Sequence, residues 1–217
     1  MISPKYAGTH YFVSTLKANT VPPHVVNLYL DFNCVFSAKL FGKFYNEVIP
    51  RLQKEQPDKF QFVFVQVVQP WHPPSVLINE FAVYVAKLLR ENNIENSNKL
   101  FWELAKVVFE NKENVWDSTT AELTRNQTYG HFYDFISKHL KLPFSKEQVL
   151  KGLQIETVGA PTNNGNEATN DIKYFTKYLR GVGVHVTPTV SVDGIVVPSI
   201  ESSTDVDDLV SILKSHL

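Results

Sequence analysis

The sequence has little cysteine, no long apolar run and no excess of charge, and each of these absences narrows the possible functions. Its 217 residues include one cysteine, Cys34. A single cysteine excludes an intramolecular disulfide and a zinc site built on several cysteines. The 21 basic and 22 acidic side chains give a net charge of −1. Bulk charge therefore provides no attraction to nucleic acid or to an anionic membrane.

Two further absences concern location. No apolar stretch approaches the roughly 18 residues that a membrane span needs. The first ten residues lack the basic start and the apolar segment of a secretory signal. We therefore expect a cytoplasmic protein with no nucleic-acid or membrane partner, and its 43% hydrophobic content is enough for a packed core. No metal site is predicted, and the sequence does not indicate an oligomeric state.

The first part of the chain predicts a strand, a helix and a second strand. Residues 25–32 and 60–68 are short runs rich in β-branched and aromatic side chains. Nearly every side chain of the second run is apolar, which is typical of a central strand covered on both faces. Between the two runs, apolar residues recur at helical spacing, and Pro50 is expected to bend or end that helix.

The middle of the chain predicts helices alone. We expect them at 76–92, 98–109, 119–125, 129–140 and 146–153. Such a block is too long for a loop and should form a helical subdomain beside a small sheet. The expected organisation is an α/β domain made of residues 1–74 and 161–217, interrupted by an all-helical insertion at 75–160.

The last part predicts a helix, a hairpin and a final helix. The first helix covers 163–180 and ends at Gly181 and Gly183, and a strand over 184–192 bends at Pro188. Asp193-Gly194 predicts a hairpin turn into a return strand at 195–198. The final helix is expected at 205–215, with a capping box from Thr204 to Asp207.

The strongest chemical signal is Cys34 at the junction between the first strand and the first helix. A thiol at a helix N-terminus faces unpaired backbone N–H groups and the positive end of the helix dipole, which favour the thiolate. Ser37 follows one turn later on the same face. We expect its hydroxyl to donate a hydrogen bond to the sulfur, and it cannot attack a mixed disulfide as a second cysteine would.

A second signal is Thr187-Pro188, which stands just before the hairpin. A proline between two strand-like halves suggests a cis peptide bond. The bend would leave the backbone of Thr187 exposed for pairing with an extended peptide. An ordinary trans proline at an edge strand is the alternative.

These two segments give the chain a resemblance to a known family. Asp31-Phe-Asn-Cys34-Val-Phe-Ser37 and Val186-Thr-Pro-Thr-Val190 before Asp193-Gly194 resemble the thioredoxin fold. The long helical insertion is similar to that of the DsbA-like branch. The resemblance implies that Cys34 is the nucleophile and that Thr187-Pro188 is the cis-proline loop.

Two residues depart from the usual Cys-Pro-x-Cys motif of that branch. Val35 replaces the proline and Ser37 replaces the second cysteine, which argues against dithiol oxidase or reductase activity. A Cys-x-x-Ser site resembles that of monothiol glutaredoxins and of thioredoxin-like proteins that hold clients by mixed disulfides. The architecture also resembles kappa-class glutathione transferases, in which a hydroxyl assists the glutathione thiolate.

Other polar and aromatic residues near these segments have open interpretations. Asp31 is either a buried proton relay or a polar residue at a strand end. Trp71 and His72 follow the second strand, where ligand groups collect in α/β sheets, but a stiff turn explains them as well. His185, three residues before Pro188, either lies near the site or has a place on a strand face, and we expect the strand face. The remaining aromatic residues at helical spacing are expected in the core of the insertion: Phe101, Trp102, Trp116, Phe132 and Tyr133.

Together these signals predict a groove between the α/β domain and the insertion, lined by Cys34, Phe36, Trp71 and Thr187. Three functions stay open. The first is a monothiol thiol–disulfide oxidoreductase that forms mixed disulfides with a protein or with glutathione as co-substrate. The second is a non-catalytic module that binds a peptide or protein, and the third is a glutathione transferase.

Overall fold

A computed structural model describes residues 1–12, 22–156 and 159–217. It contains a four-stranded sheet in the order β2-β1-β3-β4. Strands β1 (His24–Leu30) and β2 (Phe60–Gln66) are parallel. Strand β3 (Thr189–Val192) runs antiparallel to β1, and β4 (Ile195–Val196) runs antiparallel to β3.

Strand β2 is covered on both faces, as expected, but it is not central in the sheet. All seven of its residues are buried, and it stands at the end of the strand order. The N-terminal segment lies along its outer edge. Phe12 N–H donates to the Phe62 carbonyl at 2.8 Å, and Phe64 N–H donates to the His10 carbonyl at 2.9 Å. This segment therefore satisfies backbone groups that a bare edge would leave unpaired.

The connection from β1 to β2 is one helical path with a wide turn. Helix α1 (Val35–Lys43) passes through a π-helical turn (Phe44–Val48) into α2 (Ile49–Glu55). Of the two expectations for Pro50, a bend or an end of the helix, the end is wrong, since α2 continues to Glu55; the helix is instead distorted by the π-helical turn just before Pro50. Ile49 N–H bonds to the Phe44 carbonyl, so the turn before Pro50 contains one extra residue. That wider turn accommodates a residue without an N–H.

Among the described residues, five helices lie between β2 and the second half of the fold. They are α3 (Pro73–Glu91), α4 (Ser97–Glu110), α5 (Asp117–Thr120), α6 (Arg125–Ser137) and α7 (Lys146–Leu153), with a 3₁₀ turn at Lys112–Val115. The helical insertion is therefore present. Its expected boundaries at residues 75 and 160 stay a prediction.

One helix of the insertion was predicted wrongly. Instead of a helix over 119–125, the chain forms the short α5 and a turn before α6. The reason is a capping box at the start of α6. The Thr124 hydroxyl accepts from Gln127 N–H, and the Gln127 side chain accepts from Thr124 N–H. An N-cap residue has non-helical backbone angles, so a helix cannot run through Thr124.

The second half contains α8 (Thr169–Val182) and α9 (Val206–Lys214) beside the hairpin. Helix α8 begins later than expected, and it runs through Gly181 to the left-handed cap Gly183. Residues 184–188 are not part of the strand. The Asp193-Gly194 turn joins β3 to β4 as predicted, with positive φ at both positions.

The predicted capping box at Thr204 is wrong. Asp205 is the N-cap of α9, without a side-chain capping bond. The Thr204 hydroxyl instead accepts from Glu201 N–H and donates to the Ser199 carbonyl. It stabilises the loop before the helix rather than the first turn of the helix itself.

Aromatic packing joins the sheet, α1 and the insertion into one core. The ring of Phe41 on α1 lies 4.9 Å from Phe109 and 5.8 Å from Trp102, both on α4. Phe64 on β2 contacts the same Trp102 ring at 6.1 Å. Burial of such rings is a major stabilising term, and here it fixes α1 between the sheet and the insertion. The N-terminus of α1 is positioned accordingly.

Within the described ranges, no helix is both long and apolar enough to cross a membrane. The expected cytoplasmic location stays a prediction.

Candidate functional site

Cys34 is the N-cap residue of α1, and its side chain is half-buried. The Sγ atom accepts a hydrogen bond from Ser37 N–H at 3.4 Å. This N–H is one of the backbone donors that a helix leaves unpaired at its start. The first turn of α1 therefore directs positive potential at the sulfur, as the sequence predicted.

Ser37 contacts the sulfur through its backbone and not through its hydroxyl. The side chain is fully buried, and its oxygen accepts a hydrogen bond from Asp31 N–H at 3.3 Å. The expected hydroxyl-to-sulfur bond is therefore replaced by the Ser37 N–H contact. The hydroxyl instead anchors the end of β1 to the first turn of α1.

The loop before β3 brings a carbonyl oxygen to the sulfur. The Thr187–Pro188 peptide bond is cis, and Cys34 Sγ lies 3.6 Å from the Thr187 carbonyl oxygen, to which the thiol donates. The Gln69 amide holds this loop from the end of β2, donating to Thr187 Oγ1 at 3.2 Å and to the His185 carbonyl at 3.4 Å. His185 is exposed and does not lie on a strand face, which corrects its expected role.

Asp31 is a fully buried carboxylate at the end of β1. It accepts hydrogen bonds from Ser75 Oγ at 2.9 Å and from Asn33 N–H at 3.0 Å. Gln69 N–H and the Asn79 amide also donate to it. Desolvation by burial raises the pKa of Asp31, and these hydrogen bonds offset the rise in part.

These residues border a cavity of about 490 Å³. Cys34, Phe36, Trp71 and Thr187, the four residues predicted to line a groove, all contribute to its wall. Pro188 lies outside it, in an adjoining groove of about 440 Å³ that shares Phe36 and Thr187. Several apolar side chains around the cavity are unusually exposed: Phe36 by 59%, Trp71 by 63% and Val186 by 57%.

Sequence reasoning missed part of the cavity wall. Trp116 was expected in the core of the insertion, but it is 37% exposed and lines the cavity. It stands between the 3₁₀ turn and α5, so no long helix buries it. Asp117, which follows it, pairs with His72 across the cavity wall, Nδ1 to Oδ2 at 2.8 Å. Nothing in the sequence marked these two residues as partners.

In the described part of the chain, no group of three or more His, Cys, Asp or Glu side chains could hold a metal ion. The chemically active groups around the cavity are one thiol at a helix N-terminus, a neighbouring carbonyl, the His72 imidazole and the carboxylates of Asp31 and Asp117.

Comparisons with known proteins place the fold. No protein-family model matches the sequence, and no curated protein is similar enough to match. Among solved structures, a candidate protein-disulfide isomerase from Pseudomonas syringae superposes with a TM-score of 0.69 at 20% identity, covering 96% of this chain and 99% of that one. Oxidised BdbD from Bacillus subtilis gives 0.58 at 16% identity, covering 99% and 95%.

DsbA from Chlamydia trachomatis gives a TM-score of 0.56 at 12% identity, covering 95% of this chain and 92% of that one. At such low identities the likeness concerns the fold alone. In each case it extends over nearly the whole of both chains, insertion included. The chain therefore has the thioredoxin-like fold with a helical insertion that DsbA-like proteins share.

Proposed function

We propose that the protein carries out thiol–disulfide exchange through Cys34 alone and forms mixed disulfides with a protein or with glutathione. The observation that carries this proposal is the environment of the Cys34 sulfur. It is half-buried in the wall of a cavity, 3.4 Å from the Ser37 N–H and 3.6 Å from the Thr187 carbonyl. A thiol at a helix N-terminus with access to solvent is the environment that favours a nucleophilic thiolate.

The reactants are the Cys34 thiol, a substrate disulfide and a thiol from a second molecule. The Cys34 sulfur attacks one sulfur of a substrate disulfide, a new S–S bond forms, and the other substrate sulfur leaves and takes up a proton. Ser37 cannot displace the bound sulfur. A thiol from another molecule must release the adduct, and it leaves as part of a new disulfide.

The apolar rim favours a protein or peptide as the substrate. Phe36, Trp71 and Val186 expose apolar surface around the sulfur, and exposed apolar patches mark binding sites. The backbone of Thr187 beside the sulfur can pair with an extended peptide. A substrate cysteine flanked by bulky apolar residues would therefore be held with its sulfur near Cys34.

Glutathione is the smaller proposed co-substrate. Its two carboxylates would need cationic or N–H partners. The charged or titratable residues among those described in the cavity wall are Asp31, Cys34, His72 and Asp117, with no Lys or Arg among them. This composition supports a peptide disulfide over glutathione, and it also weakens the transferase hypothesis.

Trapping of mixed disulfides tests the proposal. The purified protein is incubated with a disulfide-linked peptide pair carrying Phe beside the cysteine, and adducts are measured by mass spectrometry. We expect an adduct on Cys34 that forms faster than with a Gly-flanked peptide and disappears with reductant. Equal rates for the two peptides would show that the apolar rim does not select the substrate, and a rate no greater than that of the unfolded chain would overturn the proposed exchange.

The exposed aromatic rim also supports a second function, peptide binding without exchange. Phe36, Trp71 and Trp116 would then form a docking surface in which the sulfur has no role. Binding of the same peptides with serine in place of cysteine separates the two. If Cys34→Ala and the wild type bind them equally and no adduct forms with the cysteine peptides, the binding function is correct and the exchange function is wrong.

A further inference from the structure

A histidine–aspartate pair shares the cavity with Cys34. His72 Nδ1 lies 2.8 Å from Asp117 Oδ2, and both side chains line the cavity wall. His72 is the N-cap of α3, six residues after the end of β2, and Asp117 is the first residue of α5 in the insertion. The segment after the sheet and the insertion thus meet in a hydrogen-bonded pair at the same cavity as the single thiol.

The hydrogen bond determines which ring nitrogen carries the proton. A carboxylate only accepts, so Nδ1 of the neutral ring donates to Asp117 and Nε2 keeps its lone pair. Imidazole is the side chain that most readily gains and loses a proton near neutral pH. A ring oriented by a carboxylate is the arrangement used for acid–base catalysis beside a nucleophile.

Asp31 is less suited to carry protons for this thiol. It is fully buried and already accepts hydrogen bonds from Asn33, Gln69, Ser75 and Asn79. His72 and Asp117 are half-exposed, with 39% and 51% of their side chains accessible. The pair can therefore reach a molecule bound in the cavity.

We infer that His72 is the acid–base residue of the exchange reaction and that Asp117 is its positioning residue; this inference rests on the proposed function. His72 takes the proton of the Cys34 thiol as the sulfur attacks a disulfide. The S–S bond of the substrate breaks, the Cys34–substrate bond forms, and His72 returns the same proton to the leaving sulfur. The Cys34 sulfur is oxidised as the leaving sulfur is reduced, so the substrate disulfide is the only oxidant that the step needs.

How much proton donation speeds the reaction depends on how acidic the leaving thiol is. An aliphatic thiolate leaves slowly and gains from protonation, whereas an acidic aromatic thiolate leaves quickly without it. Two uncharged probes exploit this difference: bis(2-hydroxyethyl) disulfide and 4,4′-dithiodipyridine. Single-turnover rates of Cys34 modification are measured with each by mass spectrometry. The two rates are compared within each variant. A partly misfolded variant would react more slowly with both probes, whereas loss of the proton donor would slow only the aliphatic one.

His72→Asn keeps a donor for Asp117 but cannot transfer the proton. We expect it to slow the reaction with the aliphatic disulfide on the order of 10²-fold and to leave the aromatic probe nearly unchanged. Asp117→Asn should show the same selectivity with a smaller loss. Added imidazole should restore the aliphatic rate in His72→Ala and not in the wild type. The matched control is His139→Asn, an exposed histidine of the insertion outside the cavity wall, which should not change the ratio of the two rates.

Two outcomes would overturn the inference in different ways. If His72→Asn alters both rates equally, or neither, the pair is a structural bridge and the proposed exchange stands without it. If wild-type Cys34 reacts with both probes no faster than a cysteine in the unfolded chain, the proposed function fails, and the role of His72 fails with it.

Discussion

Cys34 Sγ lies 3.6 Å from the carbonyl oxygen of Thr187, although 153 residues separate the two in sequence. The contact joins the start of α1 to the loop before β3 across the whole insertion. Under the proposed exchange function, a substrate sulfur bonded to Cys34 would lie beside the backbone of Thr187, so the disulfide and its flanking peptide would be recognised at one place.

Ser37→Ala separates the two contacts of Ser37. The backbone N–H bonded to the sulfur is unchanged, whereas the Asp31 N–H loses its buried acceptor. We expect a loss of about 1–3 kcal/mol in the free energy of unfolding, with an unaltered rate of Cys34 alkylation at neutral pH. Denaturant unfolding and an alkylation time course measure the two quantities. A large drop in alkylation rate with unchanged stability would mean that the hydroxyl acts on the sulfur after all.

Ser37→Cys should convert the site to one that releases its own adduct. The new thiol stands one helical turn from Cys34, where its attack on the mixed disulfide is intramolecular and strongly favoured. We expect a peptide adduct on Cys34 to be lost without any added thiol, leaving an internal disulfide between Cys34 and the introduced thiol. Intact-mass measurements follow both species. An adduct that persists as long as in the wild type would contradict a site accessible from the first turn of α1.

Phe36→Ser tests the apolar rim. Exposed aromatic anchors carry much of the energy of peptide recognition, so its loss should weaken binding of an apolar peptide by about tenfold, or ~1.4 kcal/mol. Ile195→Ser is the matched control, because Ile195 is 74% exposed on β4 and lines neither cavity beside the sulfur. Titration calorimetry with serine-containing peptides gives both affinities. Similar losses in the two variants would indicate nonspecific adhesion to apolar surface.

Asp31→Asn and Asp193→Asn should change the pH dependence of stability in opposite directions. Desolvation raises the pKa of Asp31 above its usual 3.8, so the folded chain keeps that proton to higher pH than the unfolded chain. Its contribution to the free energy of unfolding is therefore present at low pH and falls as pH rises from 3.8 through the raised value.

The pKa of Asp193 is lowered. Desolvation opposes the change, but hydrogen bonds from His24 and Val25 N–H outweigh it. Its contribution is present above pH 3.8 and is lost as pH falls through the lowered value. Unfolding free energies of wild type and variants across acidic pH give the two difference curves. Slopes of the same sign would show that one assignment is wrong.

The sequence predicted best what depends on neighbours along the chain. Helix α7 has its expected bounds, Lys146–Leu153, because Ser145 and Gln148 form a capping box at the start of an amphipathic run. The same local logic was right only in part at Pro50, where the helix is distorted by a π-helical turn but does not end. It failed at 184–188, where the cis-proline loop replaces an expected strand segment.

The site was predictable only where one residue carried the signal. Cys34 and Thr187-Pro188 are visible in the sequence because a thiol and a proline are chemically distinctive. The pair of His72 and Asp117 was not, since it exists only when α5 packs against the end of the sheet. Trp116 was assigned to the core for a similar reason, because its exposure depends on how short α5 is.

The N-terminal segment beside β2 has a consequence for synthesis and solubility. Residues 10–12 leave the ribosome well before β2, and they have no sheet to join until that strand is made. Once β2 is made, its outer edge would be open to pairing with other chains if this segment were not already there to cover it. Because the segment precedes β2 in the chain, it can cover this edge as soon as the strand forms, and its removal would expose unpaired backbone groups to neighbouring chains.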